Sequence, residues 1–261
     1  MPSLQDKIAL VTGAGNGIGK AIALGMAAEG AMVAASDIDF AAAQKTVEAM
    51  AAHTNRALAI EADCGDVAGI DAMIEKTVAE FGRLDIIVNN AGVTRYAYVM
   101  DLTEADWDRI HRVNAKGVFF CLQRAAKQMI DQGTGGRIIN IASIAGRGHP
   151  GSSNVAYAAS KGAVMAMTML SAHQLGEHDI NVNAICPGMT MTELGERNAV
   201  GRAAARGITV AELQAQQRAG IPIRRANTPD DIAAMAVFLA GPGGRNITGQ
   251  AYNVDGGLVN S

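Results

Sequence analysis

A glycine-rich turn stands between an apolar run and an alanine-rich segment near the start of the chain. Residues 7–12 predict a short buried parallel strand, and residues 20–29 predict a helix. The turn between them contains Gly13, Asn16, Gly17, Ile18 and Gly19. Glycines let the backbone approach a pyrophosphate, and a helix N-terminus offers free N–H groups. This order predicts a phosphate-binding turn in an α/β sheet, although Ile18 stands where G-x-G-x-x-G requires its last glycine.

Strands and helices continue to alternate along the chain, which predicts a parallel sheet in a single domain over residues 1–261. Further strands are predicted at residues 31–36, 56–61, 84–88, 136–141, 180–185 and 250–254. Helices are predicted at residues 66–81, from a capping box at 103–106 towards 129, from 157 onwards, and from 228 to 239. Residues 189–226 are rich in Arg, Gln and Ala, and predict two short helices in a mobile substrate lid.

The charge balance and the cysteines limit the partners and the compartment. Twenty-two basic and 25 acidic residues give a net charge of −3, which argues against nucleic acid and against an anionic membrane as partners. Cys64, Cys121 and Cys186 are far apart, without a C-x-x-C pair, and predict buried thiols in a reducing compartment. No apolar run reaches the roughly 18 residues of a membrane span. We therefore expect a soluble, cytoplasmic protein, and the absence of metal-ligand spacing predicts no metal.

Asp37 follows the second predicted strand, 24 residues after Gly13. A carboxylate in this register accepts hydrogen bonds from both ribose hydroxyls of an adenosine and repels a 2′-phosphate. It therefore favours NAD over NADP. The alternative is that Asp37 is an ordinary turn or helix-cap carboxylate.

Tyr157 and Lys161 share one face of a predicted helix because they are four residues apart. An ammonium one turn away favours the phenolate, so Lys161 is expected to lower the pKa of Tyr157 towards the range of a general base. Ser143, at the end of the fifth strand, offers a hydroxyl to a substrate oxygen. The alternative is an ordinary pair on a solvated helix. Asn114 lies among apolar neighbours in a predicted helix, and a buried amide there needs a partner.

Taken together, these motifs resemble the short-chain dehydrogenase/reductase family, in its single-domain branch and nearest to dehydrogenases of polyols and sugar alcohols. The resemblance covers nearly the whole chain. It is carried by Thr12-Gly13-x-x-x-Gly17-x-Gly19, Asn89-Asn90-Ala91-Gly92, Asn114, Ser143, Tyr157-x-x-x-Lys161, Pro187-Gly188 and Asp255-Gly256-Gly257. It implies a single Rossmann-fold α/β domain, with a seven-stranded parallel sheet and helices on both faces.

The resemblance also implies roles for individual residues. Tyr157 exchanges the proton with the substrate oxygen, Lys161 binds the nicotinamide ribose, and Ser143 positions the substrate, with Asn114 supporting a water relay to Lys161. The implied NAD contacts are Gly13, Asn16, Gly17, Ile18, Gly19, Asp37, Asp63, Cys64, Asn90, Ala91, Gly92, Tyr157, Lys161, Pro187, Gly188, Thr190 and Thr192. Thr190 departs from the Val or Ile that is usual in the family, although its backbone still suits a carboxamide.

The assembly is predicted from apolar residues that cover more than one face of two helices. They include Val164, Met165, Met167, Met169 and Leu170. Such faces indicate a helix-mediated interface. The resemblance implies a homotetramer.

The substrate is predicted from polar residues near the Tyr157 helix. Asn154 precedes Tyr157 by three residues and suits a hydroxyl or carboxylate, and Arg95, Arg147 and His149 offer further polar contacts. The leading hypothesis is hydride transfer between NAD(H) and a small polar secondary alcohol or its ketone, such as a polyol, sugar or hydroxy acid. One alternative is a 3-oxoacyl thioester reductase, and another is a nucleotide-binding regulator without turnover.

Overall fold

A computed structural model describes residues 3–53, 56–150 and 153–260. Its centre is a seven-stranded sheet in the order β3-β2-β1-β4-β5-β6-β7, and all neighbouring strands are parallel. The strands are β1 (Ile8–Thr12), β2 (Met32–Asp37), β3 (Ala57–Glu61), β4 (Ile86–Asn89), β5 (Gly136–Ile141), β6 (Ile180–Pro187) and β7 (Ala251–Val254). All seven predicted strands are therefore confirmed, and their ends differ from the prediction by at most two residues.

Helices cover both faces of the sheet, as predicted. They are α1 (Gly17–Ala28), α2 (Phe40–Met50), α3 (Val67–Phe81), α4 (Glu104–His111), α5 (Val118–Gln132), α6 (Val155–Leu175), α7 (Glu193–Arg206), α8 (Val210–Gly220) and α9 (Pro229–Ala240). The capping boxes of α4 and α9 are present. Helix α2, which Asp39 caps, is absent from the sequence-based assignment.

Two apolar layers hold the helices against the sheet. On one face, Ile22 and Met26 of α1 and Leu239 of α9 pack together with the strands, and all three are almost fully buried. A second layer joins Met73 of α3 and Met129 of α5 to the strands. The three cysteines are free and buried, as predicted. Over the described ranges, no helix is long and apolar enough to cross a bilayer.

The sheet order places the functional residues at one edge. Strand β1 pairs with β2 on one side and with β4 on the other, so the chain changes direction across the sheet at β1. Ligands of open α/β sheets bind at such a switch point, beyond the carboxyl ends of the strands. The glycine turn, Asp37, the loop after β4, Ser143 and Pro187 all follow or end strands at this edge.

The structure corrects the prediction of one continuous helix from 103 towards 129. Helix α4 ends at His111, and a π-helical segment (Arg112–Gly117) joins it to α5. A π turn holds one extra residue, and such segments occur often at functional sites. Asn114 lies in this segment and is completely buried. Apolar spacing did not reveal the segment, because contacts distant in sequence hold it.

Candidate functional site

The glycine turn leaves the N-terminus of α1 open. Asn16, the N-cap residue, has extended backbone geometry and makes no side-chain capping hydrogen bond. Gly13 and Gly17 have φ angles of 62° and 55°, which side chains rarely adopt. A Cβ on Gly19 would collide with the carbonyl oxygen of Gly13. The turn is therefore too tight for side chains, and the first N–H groups of α1 remain open to a phosphate.

The carboxylate of Asp37 organises this turn from the end of β2. One of its oxygens accepts a hydrogen bond from the Gly15 N–H at 2.8 Å, and the other accepts one from the Asp39 N–H at 3.0 Å. The next residue is Ile38, which is uncharged and 67% exposed. The sequence therefore places no cation directly after the carboxylate. An anion in this place suits ribose hydroxyls and opposes a 2′-phosphate.

Thr12 joins the glycine turn to the loop after β4. Its Oγ1 accepts hydrogen bonds from the N–H groups of Asn90 and Ala91, at 3.0 and 3.1 Å. The Asn90 amide donates in return to the carbonyl oxygens of Thr12 and Gly13, at 2.9 and 3.0 Å. Asn90 thus positions the glycine turn through the backbone. Thr12 was not among the predicted site residues, although it begins the glycine motif.

Asp63 and Cys64 lie after β3, next to the π-helical segment. The Asp63 carboxylate pairs with the Arg112 guanidinium at 2.8 Å and accepts a hydrogen bond from the Gly65 N–H at 2.7 Å. Burial raises the pKa of Asp63, but the bonds from Arg112 and Gly65 outweigh it and hold the pKa below its ordinary value. Cys64 and Cys121 are both buried free thiols, and the neighbouring Cys64 thiol together with burial raises the pKa of Cys121. Sequence reasoning missed Arg112, because its partner is 49 residues away.

Asn154 caps the helix that carries Tyr157 and Lys161. Its side-chain oxygen accepts a hydrogen bond from the Tyr157 N–H at 2.8 Å, and its amide nitrogen donates to the Arg95 carbonyl at 2.6 Å. Asn154 is only 3% exposed. The prediction assigned this amide to substrate binding. In the structure its oxygen and its nitrogen both form hydrogen bonds within the chain. Asn154 therefore fixes the first turn of α6 to the loop after β4.

Lys161 is buried one turn beyond Tyr157. Its ammonium donates to the carbonyl oxygen of Ile141 at 2.6 Å and lies 5.7 Å from the centre of the Tyr157 ring. Burial lowers the pKa of Lys161 from its ordinary 10.5 to about 8. Because burial disfavours the charged form, this ammonium releases its proton more readily than a lysine in water.

The Tyr157 hydroxyl lies beside the Ser143 side chain. Burial raises the pKa of Tyr157 above its ordinary value, and the neighbouring Ser143 side chain opposes this shift only in part. The prediction that Lys161 lowers this pKa is therefore wrong for the chain by itself, because burial outweighs the other influences. Ser143 accepts a hydrogen bond from the Ala145 N–H at 3.1 Å, which fixes its hydroxyl oxygen after β5.

The buried amide of Asn114 is hydrogen-bonded to the backbone of Val93, as its burial requires. Its oxygen accepts a hydrogen bond from the Val93 N–H at 2.8 Å, and its nitrogen donates to the Val93 carbonyl at 2.9 Å. A Cβ on Gly92 would lie 3.4 Å from Asn114 Oδ1 and 3.6 Å from Lys161 Nζ. Because Gly92 has no side chain, both Asn114 and Lys161 approach its backbone closely. The water relay through Asn114 stays a prediction.

The residues after β6 reach back towards the glycine turn. Pro187 ends the strand, and the Gly188 N–H donates to the Val254 carbonyl at 2.9 Å. The Thr190 hydroxyl donates to the Gly188 carbonyl, and Thr192 caps α7. A Cβ on Gly17 would lie 3.3 Å from the Thr192 methyl carbon. This segment therefore borders the glycine turn. The prediction places the nicotinamide half of the cofactor on this segment.

Arg95 and Arg147, both predicted near the substrate, are engaged within the chain. Arg95 forms a two-point ion pair with Asp106, through Nε at 2.6 Å and NH2 at 2.5 Å. Arg147 donates to Asn253 and to the Ala251 carbonyl of β7. His149 is half-buried just after the short helix that follows Ser143. Its contact with substrate stays a prediction, whereas Arg95 and Arg147 have structural partners.

A cleft of about 540 Å³ opens between the loop after β4 and helix α7. We call it the α4–α7 cleft. It is lined by residues 92–96, by Arg109 of α4, and by Leu194, Arg197, Asn198 and Gly201 of α7. It adjoins Lys161, because Gly92 belongs to its lining and a Cβ on Gly92 would lie 3.6 Å from Lys161 Nζ. Sequence reasoning missed Arg109 and Arg197, since helical spacing does not show that two distant helices face one cleft.

The open end of α1, the glycine turn and the Asp37 carboxylate fit a nicotinamide dinucleotide. Phosphates suit the free N–H groups, and ribose hydroxyls suit the carboxylate. The Tyr157 hydroxyl beside Ser143, with Lys161 one turn away, suits proton exchange with a substrate oxygen. In the described portion, no group of three or more His, Cys, Asp or Glu side chains is placed to hold a metal.

Comparisons with known proteins agree with this geometry. The protein-family model described as enoyl-(acyl carrier protein) reductase matches residues 13–259. The chain is 42% identical to galactitol 2-dehydrogenase of Agrobacterium fabrum, over 97% of this chain and 98% of that protein. It is 38% identical to 2-dehydro-3-deoxy-D-gluconate 5-dehydrogenase of Dickeya dadantii, over 98% of this chain and 97% of that protein.

Two solved structures share the fold. A short-chain type dehydrogenase/reductase from Mycobacterium marinum superposes with a TM-score of 0.91 at 33% identity, covering 99% of this chain and 98% of its own. The 3-ketoacyl-(acyl-carrier-protein) reductase from Brucella melitensis, complexed with NADH, superposes with a TM-score of 0.86 at 34% identity, over 98% and 99% of the two chains. Since the similarity extends over essentially the full length, the chain is an oxidoreductase of the short-chain dehydrogenase/reductase family.

Proposed function

We propose that the protein is an NAD(H)-dependent dehydrogenase that interconverts a small polar secondary alcohol and its ketone. One observation carries this proposal. The Tyr157 hydroxyl lies beside the Ser143 side chain, with the buried Lys161 one turn away, at the sheet edge where the glycine turn of α1 lies. Proton exchange and cofactor binding thus share one edge of the sheet.

The division of labour follows from the environments of the side chains. Tyr157 is protonated near neutral pH because its pKa is raised, so it is ready to donate a proton to a ketone oxygen. Ser143, held by the Ala145 N–H, positions that oxygen. Bound NAD(H) supplies the hydride acceptor or donor. In the oxidative direction Tyr157 must first lose its own proton, and the resulting phenolate then takes up the alcohol proton. Lys161, whose pKa burial lowers to about 8, is placed to pass that first proton onwards.

The preference for NAD rests on Asp37. Its carboxylate lies at the end of β2 beside the glycine turn, and Ile38 follows in place of a cation. A 2′-phosphate at this position would meet a negative charge and no compensating positive one. The reductase from Brucella melitensis, 34% identical to this chain, was solved with NADH.

The polar alcohol class is supported by the α4–α7 cleft and by the relatives. The cleft presents Arg109, Arg197 and Asn198. A hydrocarbon substrate would leave these polar groups without partners. The two relatives described above are named for galactitol and for a sugar acid. A polyol, sugar or hydroxy acid therefore suits the cleft better than an apolar ketone.

Residues 189–226 form the substrate lid in this proposal. They contain α7 and α8, and α7 supplies one wall of the α4–α7 cleft. Movement of α7 would open or close the cleft above Gly92. Closure of such a segment excludes water from a reacting site.

We also propose a cytoplasmic homotetramer. Met169 and Leu170 of α6 are 51% and 68% exposed, which supports a helix-mediated interface. Val164 and Met165, predicted for the same interface, are instead buried in the core beneath α6. The buried free thiols support a reducing compartment. Light scattering tests the assembly, because a mass equal to one chain would contradict the tetramer.

A single panel of assays tests the reaction and its substrate class. Polyols, hydroxy acids, 3-oxoacyl thioesters and cyclic ketones are each assayed with NAD(H) and with NADP(H), following the reduced-nicotinamide absorbance. We expect turnover of polyols or hydroxy acids with NAD. Exclusive turnover of thioesters would assign the chain to the 3-oxoacyl reductases, and no turnover of any compound would favour a nucleotide-binding regulator.

A further inference from the structure

The α4–α7 cleft has two arginines whose positive charges are not neutralised. Arg109 comes from the last turn of α4, and Arg197 comes from α7. Within residues 3–53, 56–150 and 153–260, neither guanidinium has a hydrogen bond or an ion pair. Two cations from different elements therefore face one cleft without a counter-charge.

A third arginine in the same lining shows the contrast. Arg95 is held by Asp106 through two short hydrogen bonds and donates to backbone carbonyl oxygens as well. Its charge is used to fix the loop after β4 to the start of α4. Arg109 and Arg197 have no comparable structural task in the described chain, so their guanidinium groups are available to a ligand.

The electrostatics of the cleft favour an anion. In the part of the chain that the structure describes, no Asp or Glu belongs to the cleft lining. Residues 189–226 carry six arginines against three glutamates, a net charge of +3, while the whole chain has −3. Positive charge is therefore concentrated on the segment that borders the cleft, and it attracts negatively charged ligands.

We propose that the substrate is a sugar acid or hydroxy acid, and that Arg109 and Arg197 bind its carboxylate in the α4–α7 cleft. The inference rests on the proposed function and narrows its substrate class. A guanidinium binds a carboxylate through two parallel hydrogen bonds, which fixes orientation as well as charge. With the carboxylate held between α4 and α7, the carbon chain extends past Gly92 towards Ser143 and Tyr157. Arg109 and Arg197 thus determine specificity and take no part in proton transfer.

The test compares substrates with the same carbon chain that end in a neutral hydroxyl, a carboxylate or a phosphate. D-glucitol, D-gluconate and D-glucitol 6-phosphate, with the corresponding galactitol series, are assayed with NAD on wild type, Arg109→Gln and Arg197→Gln. We expect wild type to prefer the carboxylate, and each variant to lower the acid-to-polyol ratio of kcat/KM about tenfold, as for one lost charge-assisted bond. Added salt should raise the KM of the acid, because both arginines are exposed.

A control variant removes the same charge elsewhere on the predicted lid. Arg218→Gln lies on α8, outside the cleft lining, and should leave the acid-to-polyol ratio unchanged. An unchanged ratio in both Arg109→Gln and Arg197→Gln would overturn the inference, as would a preference for the neutral polyol or for the phosphate. Turnover of polyols alone would leave the proposed function standing.

If no turnover is detected, binding measurements still test the carboxylate site separately from the proposed dehydrogenase function. If wild type turns over neither these compounds nor the polyols and hydroxy acids of the wider panel, the proposed function fails. Calorimetric titration of gluconate into wild type, Arg109→Gln and Arg197→Gln then decides the inference independently. Weaker binding by about tenfold in each variant supports the carboxylate site, and equal affinity in all three proteins refutes it. Circular dichroism verifies that the variants are folded.

Discussion

Helices α1 and α6 have the same N-cap residue type, but only α6 has a side-chain cap. Each has an asparagine at the N-cap in extended backbone geometry, Asn16 for α1 and Asn154 for α6. The Asn154 side chain caps its helix, whereas the Asn16 side chain makes no capping bond. One helix end is therefore closed and fixed, and the other is open to a ligand.

The difference suits the chemistry of the two places. The closed end must hold Tyr157 in one position against Ser143, so its first N–H groups are satisfied within the chain. The open end keeps its first N–H groups available, which suits the phosphates of the proposed cofactor. An N-cap asparagine thus indicates where a helix begins, but its surroundings decide whether the helix end binds a side chain or a ligand.

Removing the reacting group from the closed end should have the largest effect. We expect Tyr157→Phe to lower kcat by about a thousandfold, because only the proton-exchanging oxygen is lost. NADH affinity, measured by fluorescence titration, should change by less than about twofold, since the open end of α1 is untouched. Tyr252→Phe in β7 is the matched control. A Tyr157→Phe enzyme that kept more than a few per cent of the rate would exclude Tyr157 as the acid/base.

The buried ammonium at the closed end should make stability depend on pH. The pKa of Lys161 is about 8 in the folded chain and 10.5 ordinarily, so the unfolded chain binds more protons between these values. Folded-state stability from this group therefore rises as pH rises from about 8 to 10.5. Lys161→Met removes this dependence on pH. The free energy of unfolding of the variant, relative to that of wild type, should therefore fall by roughly 3 kcal/mol as pH rises across this window.

Denaturant unfolding at several pH values measures this dependence. Lys76→Met, an exposed lysine on α3, is the control, and its difference from wild type should vary little with pH. A pH-independent difference between Lys161→Met and wild type would show that Lys161 titrates as it does in water.

We expect Asp37 to determine which cofactor binds at the open end of α1. We expect Asp37→Ser to lower the NAD-to-NADP ratio of kcat/KM by about tenfold or more, because the carboxylate no longer repels a 2′-phosphate. Asp39→Asn is the matched control, since Asp39 caps α2 two residues later and asparagine also caps well. Steady-state kinetics with both cofactors measure the ratio, and equal ratios in wild type and Asp37→Ser would remove Asp37 from cofactor selection.

The smallest effect compares the two asparagines directly. Asn154→Ala should lower the free energy of unfolding by about 1 kcal/mol, the typical value of a lost cap. Asn16→Ala should change it by less than about 0.5 kcal/mol, because no capping bond is lost. Urea denaturation of the cofactor-free protein provides both values. Equal losses in the two variants would show that the closed and open ends do not differ in this way.

Local patterns predicted much of this molecule. Residues 136–141 were assigned as a strand with the bounds that the structure has, and the capping box at Thr103 and the start of the final helix at Thr228 were predicted correctly. Tyr157 and Lys161 lie in the first two turns of α6, as their surroundings indicated. These features depend on neighbours a few residues apart, through apolar periodicity, caps and helical spacing.

The tertiary structure decided the remaining features. The Asn154 amide binds the Arg95 carbonyl 59 residues away, and Asn114 in its π-helical segment binds Val93 21 residues away. Burial reversed the expected direction of the Tyr157 pKa. Arg109 and Arg197 meet across one cleft. Sequence patterns determine which local structure forms, but desolvation and hydrogen bonding depend on which distant segments pack together, and only the folded sheet brings those segments into contact.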